Sequence, residues 1–236
     1  MTGLAISKRT VFALAALCLW QASAFQAPGT HPVTGRKIAG VMGMSGADWL
    51  TRPEREAEEQ PEKALDALQL KPGMTVADIG AGVGYMSLRM AKRVGPSGKV
   101  YANDLQPEML AKLRENAAKA KITNVITVLG DVADPKLPAN AMDLVLLVDV
   151  YHEFSAPQQM LRKIRETLKP DGRLVLLEYR AEDPNVPINP EHKMTVTQVK
   201  AEIEAEGFVL QPVIETLPRQ HILILTKATA KAAGAR

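Results

Sequence analysis

Between residues 75 and 226 the chain alternates short apolar runs with segments whose apolar residues recur every three or four positions. Few architectures accept that rhythm. A run buried on both faces belongs in a parallel sheet, and a 3.6-residue stripe belongs on a helix packed against it. The runs Thr75–Ile79, Lys99–Ala102, Val125–Leu129, Leu144–Val148 and Arg173–Leu177 read as strands. Between them, Tyr85, Leu88 and Ala91 share one helical face. Met109, Leu110, Leu113 and Ala117 share another, and Met160, Leu161, Ile164 and Leu168 a third, with Ser155 as its cap. Thr195 and Gln198 have capping-box spacing, opening a helix with Val199 and Ile203 inward that Gly207 ends. Phe208–Ile214 and His221–Thr226 close the chain as strands. Their link through Pro218 is too short for a crossover helix, so the two should be antiparallel. The prediction is an α/β fold: one mainly parallel sheet with helices on both faces.

The remainder of the 236 residues fits one such domain with additions at its ends. Lys8 and Arg9 precede an apolar run from Val11 to Trp20, followed by Ala22-Ser23-Ala24. That layout predicts a signal peptide over residues 1–24 and an exported protein, periplasmic or extracellular. The run is too short for a comfortable membrane span, so no stable span is expected after cleavage. Cys18 is the only cysteine, which excludes a disulfide framework and a cysteine nucleophile beyond the leader. Of 29 basic residues, two lie in the leader, leaving 27 against 26 acidic ones. Nothing in that balance points to nucleic acid or an anionic membrane.

Residues 25–60 read as an arm and helix covering the site, 61–227 as the main domain, and the Ala-rich residues 228–236 as a disordered tail. In the arm, Thr51 and Glu54 have capping-box spacing with Pro53 in the first turn. Glu54 to Gln60 reads as a solvated helical face interrupted near Pro61. Ala64, Leu65 and Leu68 give the next helix an apolar stripe, which Lys71-Pro72-Gly73 ends.

Four segments carry candidate chemistry. Val76-Ala77-Asp78-Ile79 runs into Gly80-Ala81-Gly82-Val83-Gly84, a turn that lets a ligand approach the main chain. The spacing is G-x-G-x-G, not the G-x-G-x-x-G of nicotinamide enzymes, which argues against an oxidoreductase. Asp104 ends the second strand, where a carboxylate accepts from both hydroxyls of a ribose. Asp131, in Gly130-Asp131-Val132, is placed to take an adenine amine, with Val132 packing on the ring. Asp149-Val150-Tyr151-His152-Glu153 follows the most apolar strand. His152 is the first candidate base, with Tyr151 and Glu153 behind it; the competing role for Tyr151 and His152 is to wall the cofactor.

These segments, in this order and spacing, resemble the motifs of class I S-adenosylmethionine-dependent methyltransferases. Leu168-Lys169-Pro170-Asp171-Gly172-Arg173-Leu174 is similar to that family's lead into the fifth strand. The resemblance spans roughly residues 60–227. It implies a Rossmann-like seven-stranded sheet, order 3-2-1-4-5-7-6 with strand 7 antiparallel, and S-adenosyl-L-methionine as cofactor. It implies that Asp78, Gly80, Ala81, Gly82, Gly84 and Tyr85 border the methionine end. Asp104 and Leu105 would hold the ribose, Asp131 and Val132 the adenine, and Asp149 the cleft floor. In this family such arms cover the cofactor and shape the substrate pocket, so Arg52 or Arg55 would meet a substrate carboxylate; an exposed charged helix is the other reading.

Leu217-Pro218-Arg219-Gln220-His221 is similar to the tail of quinone-biosynthesis C-methyltransferases, which favours a small-molecule acceptor. The alternative is an exported cofactor-binding or scaffold protein that keeps the fold without catalysis. No metal site is assigned. Metal assistance would need Asp149 with an acidic or amide pair after the fifth strand, and the spacing of Asp183 and Asn185 does not match.

Overall fold

A computed structural model describes residues 29–229. The expected signal peptide, Cys18 and most of the expected tail lie outside them. After two short 3-10 turns come α1 (Arg55–Glu59) and α2 (Pro61–Leu68). Then follow β1 (Thr75–Ile79), α3 (Tyr85–Val94), β2 (Lys99–Asp104), α4 (Pro107–Lys119), β3 (Val125–Leu129), β4 (Met142–Val148), α5 (Pro157–Thr167) and β5 (Leu168–Arg180). The chain closes with β6 (Lys193–Met194), α6 (Val196–Glu204), β7 (Phe208–Leu210) and β8 (Gln220–Lys227). The sheet order is β3-β2-β1-β4-β5-β8-β7, with β6 paired to β5. This is the expected order with one addition. The two-residue β6 runs parallel to Tyr179–Arg180, so the predicted sixth and seventh strands are β7 and β8. β8 is antiparallel to both β5 and β7.

Both sheet faces are buried, which is why the central strands read as unbroken apolar runs. Alternate residues go to opposite layers. Ala77, Val145, Leu147, Leu174 and Leu176 pack with Leu161, Ile164 and Ile203 of α5 and α6. Val76, Leu144, Leu146, Val175 and Leu177 pack with Leu65, Leu68, Met86 and Met90 of α2 and α3.

Several local expectations change. The buried stripe of α3 is Met86, Met90, Ala91 and Val94, so the predicted face is rotated and Tyr85 and Leu88 sit at its margin. The box at Thr51 does not form: Trp49–Thr51 is a 3-10 turn and α1 starts without a side-chain cap. The box at Thr195 does form, with Gln198 reciprocating, a feature worth about 1 kcal/mol. Ser155 caps nothing, because Ala156 is the residue before α5. Pro170-Asp171-Gly172 is a bulge inside β5, where the register against β4 jumps from Met142–Leu168 to Leu144–Arg173. A Cβ on Gly172 would lie 2.6 Å from the Met142 carbonyl oxygen, so only glycine lets the bulge close.

Order β2-β1-β4-β5 makes the gap between β1 and β4 the point where the chain's winding reverses. Open α/β sheets bind ligands there, beyond the carboxyl ends of the strands. Among the described residues no helix is long and apolar enough to cross a membrane.

Candidate active site

A cleft of about 400 Å³ opens at that reversal point. One wall is the glycine turn after β1. Gly80 and Gly82 adopt the left-handed backbone, φ +71° and +51°. A Cβ on Gly80 would come within 2.4 Å of Val150, and one on Gly82 within 2.8 Å of Leu50. The turn therefore holds main chain where any other residue would place a side chain. Asp104 at the end of β2 is tied to this wall: its carboxylate accepts from the Gly82 N–H at 2.8 Å and from the Gln106 N–H at 2.9 Å. Asp104 and Leu105 both line the cleft. Burial raises the Asp104 carboxyl, with the Gln106 and Gly82 amides pulling the other way.

Asp78 occupies a smaller recess with Ala81 and Tyr85, sharing Leu50, Arg55, Gly80 and Val148 with the cleft. Its carboxylate accepts from the Ser87 hydroxyl at 2.5 Å. Burial pushes it up to about 6, against the Ser87 bond and the Arg55 charge. Gly84 lies elsewhere: it precedes α3, and its missing Cβ makes room for Leu113 at 2.8 Å. The Tyr85 ring lies between the Arg55 and Arg89 guanidinium groups, each 4.1 Å from its centre, and its hydroxyl donates to Glu56. Gly84 is thus a packing residue, and Tyr85 borders the recess but not the cleft. Asp131 and Val132 are exposed beyond β3 and do not line the cleft.

The floor is acidic. Glu59, Asp104, Asp149 and Glu153 line the cleft against Arg52 and Arg55. Asp149 adopts φ +54°, a conformation uncommon for a residue with a side chain. Its Oδ2 accepts from Gln220 Nε2 at 2.8 Å, while its buried Oδ1 has no partner in the structure. Burial raises the Asp149 carboxyl well above its ordinary value, and Glu59 and Glu178 add to the shift. Arg55 is buried rather than solvated: Nε donates to Glu59 at 2.7 Å and Nη1 to the Leu50 carbonyl. Glu59, also buried, accepts from the Tyr179 hydroxyl at 2.9 Å. Arg52 pairs with Glu58 and stacks 3.6 Å over Trp49. Both arginines are already matched by glutamates, so neither is a free receptor for a substrate carboxylate.

The opposite wall is the 3-10 turn Tyr151–Glu153 after β4. His152 lines the cleft, its Nδ1 2.6 Å from Glu178 Oε2 and its Nε2 3.0 Å from His192 Nδ1. The other Glu178 oxygen accepts the Tyr151 N–H at 3.0 Å. Glu153 also lines the cleft; burial pushes its carboxyl up to about 7, with the His152 charge opposing. Burial lowers the His192 imidazole, and His152 adds to it. Tyr151 does not reach the cleft. It is buried against Phe154, its hydroxyl 3.2 Å from His31 Nε2. As a candidate base or cofactor wall it is replaced by a core role.

The arm fastens to this wall. The Ala39 N–H and Arg36 Nη1 both donate to the His152 carbonyl, and Arg36 Nε pairs with buried Glu202 at 2.9 Å. Val41 and Met42, a few residues on, line the cleft. Sequence reasoning missed Glu59, Glu178, His192 and Gln220. The signal available for Glu178 is a lone carboxylate directly after the apolar run Leu174–Leu177; for His192 there is none.

A cleft with a glycine-turn wall and an acidic floor, one buried carboxyl oxygen of it unpartnered, is suited to a cationic, nucleoside-bearing ligand. That is the class of site found in methyltransferases with this sheet. The Methyltransferase domain family matches residues 70–224, and the chain belongs to it. It is 30% identical over 149 residues to the arsenite methyltransferase of Halobacterium salinarum, covering 59% of this chain and 38% of that protein. It is 28% identical over 126 residues to a demethylmenaquinone methyltransferase of Listeria monocytogenes, covering 53% and 52%. The chain thus spans about half or less of these relatives' lengths. A solved structure titled as a SAM dependent methyltransferase from Aquifex aeolicus is 29% identical. It superposes with a TM-score of 0.74, covering 78% of this chain and 98% of that one.

Proposed function

We propose that this protein transfers a methyl group from S-adenosylmethionine to a small-molecule acceptor. The observation that carries the reading is the acidic cleft at the β1/β4 reversal, where buried Asp149 Oδ1 has no protein partner. Unpaired buried carboxylate is costly, and a cationic ligand offsets that cost. When bound, the cofactor supplies a methyl group on a positively charged sulfur, released to a nucleophile by in-line displacement. The chain's own groups hold and align. Asp104, fixed by two backbone amides, has acceptor capacity left for ribose hydroxyls. Gly80 and Gly82 leave room for the ligand; Asp149 in the cleft, and Asp78 in the recess beside it, would lie toward its cationic end. His152, held by Glu178 at Nδ1 and beside His192 at Nε2, lines the part of the cleft that an acceptor would enter. Such positioning can supply much of the acceleration of a two-reactant step.

A small acceptor suits the cleft's volume. The acceptors for which the two relatives are named, arsenite and demethylmenaquinone, are also small molecules. Export remains part of the proposal, on the pattern from Lys8 to Ala24. N-terminal sequencing of protein recovered outside the cytoplasm tests it, with Phe25 expected first.

The function is tested by titrating tag-free protein with S-adenosylhomocysteine in a calorimeter. Absence of heat overturns the reading. Incubation with methyl-labelled cofactor and an extract of the organism's envelope should then transfer label to a low-mass compound. Stoichiometric binding without transfer across a broad acceptor panel would establish the non-catalytic alternative.

A further inference from the structure

His152, Glu153 and His192 converge on the cleft wall opposite the glycine turn. His152 Nε2 lies 3.0 Å from His192 Nδ1, and Glu153 Oε1 lies 4.0 Å from the first and 3.8 Å from the second. These are the same three atoms in each pair, so they define a triangle. The point equidistant from its corners is about 2.1 Å from each, the bond length of imidazole nitrogen and carboxylate oxygen to a first-row divalent cation. All three residues line the cleft. We propose that they bind a divalent cation, with two imidazoles and one carboxylate as ligands and the remaining coordination positions open to the cleft.

Three features beyond the triangle support this. The first is tautomer. Glu178 Oε2 lies 2.6 Å from His152 Nδ1, a contact that favours the proton on Nδ1 and the lone pair on Nε2, 3.0 Å from His192 Nδ1; a cation would replace the proton shared between the two rings, with His192 carrying its own on Nε2. A carboxylate behind a ligating histidine is the usual outer support of such sites, fixing the ring and raising its basicity. That carboxylate is itself held by the Tyr151 N–H, on a strand whose register against β4 is continuous at Val148–Leu177. The second is donor chemistry. Two nitrogens and one oxygen with open positions suit Zn²⁺, Fe²⁺, Mn²⁺ or Co²⁺ better than Mg²⁺ or Ca²⁺, which prefer oxygen. The third is the balance of groups. Four carboxyl groups and two glutamate-paired arginines line the cleft, so a cation that displaces their protons meets no free positive charge there.

The site differs from the arrangement weighed on sequence. Asp183 and Asn185 close a local turn, with the Asn185 N–H donating to Asp183 Oδ1, and neither lines the cleft. The cation's role rests on the methyl-transfer reading: an acceptor oxygen or sulfur bound to it would be held beside the cofactor and made more acidic. The binding site itself does not rest on that reading.

The test is calorimetric titration of tag-free, chelator-stripped full-length protein with Zn²⁺, alone and with S-adenosylhomocysteine. One equivalent should bind without the nucleoside. The Co²⁺-loaded protein should show ligand-field absorption in the visible range. His192→Ala and Glu153→Gln should each abolish stoichiometric binding. Glu178→Gln should weaken it by about 10- to 100-fold. His221→Ala, which removes an imidazole held between Glu182 and Glu215, should leave it unchanged. Circular dichroism of each variant separates loss of a ligand from loss of the fold. His192 is partly exposed, so its truncation is the variant expected to stay folded. No Zn²⁺ heat, or equal affinity in folded His192→Ala, overturns the cation site. If the nucleoside still binds in that case, the methyltransferase reading stands. Zn²⁺ binding without nucleoside binding does the opposite: the cation site stands and the methyltransferase reading falls.

Discussion

The two walls of the cleft are built differently. The β1/β2 wall is local: Gly80, Gly82 and Asp104, with Asp78 in the adjoining recess, lie within 27 consecutive residues, and its geometry is set largely by backbone. The β4/β5 wall is assembled from afar. Its His152 depends on Glu178, 26 residues on, on His192, 40 residues on, and on an arm that reaches back from Arg36. A local wall fixes a ligand common to a whole fold. An assembled wall can change with loop sequence and still sit on the same sheet, so on the proposed reading it is the wall that would select the acceptor.

The sharpest way to break this division is His152→Ala. Turnover should fall by about 100-fold or more, the range for loss of a positioned acid–base or activating group. S-adenosylhomocysteine affinity should stay within about threefold. Calorimetry beside steady-state kinetics decides it; if affinity falls and turnover at saturating cofactor survives, His152 belongs to the cofactor wall.

Gly80→Ala should come next, because Gly80 is where the walls touch. The new methyl group meets Val150, which belongs to the other wall, and the residue must hold φ +71°. The left-handed backbone costs about 1–2 kcal/mol and the overpacking about 1–3 kcal/mol. Denaturant unfolding should show a loss of about 2–5 kcal/mol. A loss below 1 kcal/mol would mean that the walls move independently.

Asp104→Ala removes a carboxylate from the local wall. Nucleoside affinity should drop by about 1.5–3 kcal/mol, the value of hydrogen bonds to a charged group. Turnover at saturating cofactor should change little. A fall in turnover without a fall in affinity would place Asp104 on the wrong side of the division.

The same contrast explains what could be read from the sequence. The mainly parallel sheet was legible because buried parallel strands leave apolar runs, and its antiparallel closing pair because the last connection is too short to cross over; the strand order came only through the resemblance to class I methyltransferases. The extra strand β6 was not legible, since two residues carry no period. The local wall was legible because glycines and strand-end carboxylates leave marks within one motif, although Gly84 serves packing against Leu113 and Asp131 lies outside the cleft. The assembled wall was half visible. His152 and Glu153 stood at a strand end, but Tyr151 beside them turns into the core, and no local pattern sets which way a 3-10 turn aims each side chain. Arg55 and Glu59 carry the i, i+4 spacing of an exposed ion pair. Both are buried, with the Tyr179 hydroxyl at the end of β5 donating to Glu59, a partner that their own segment does not record.

Asp78 gives the finest test, because on the local wall stability and binding should oppose each other. Its folded carboxyl titrates at about 6 against an ordinary 3.8, so folding favours the neutral acid. That contribution is fully present below pH 4 and disappears as pH rises through 6. Above pH 6 the ligand-free protein therefore carries a buried carboxylate at a cost of about 1–3 kcal/mol. Asp78→Asn removes that cost and keeps an oxygen for the Ser87 hydroxyl. The variant should match the parent at pH 4 and exceed it in thermal unfolding at pH 7.5, while binding the nucleoside more weakly. Equal stability gains at both pH values would show that the effect is packing rather than charge. A gain at pH 7.5 with undiminished affinity would show that the carboxylate serves something other than the ligand, since an uncompensated buried charge persists in a fold where the bound state neutralises it.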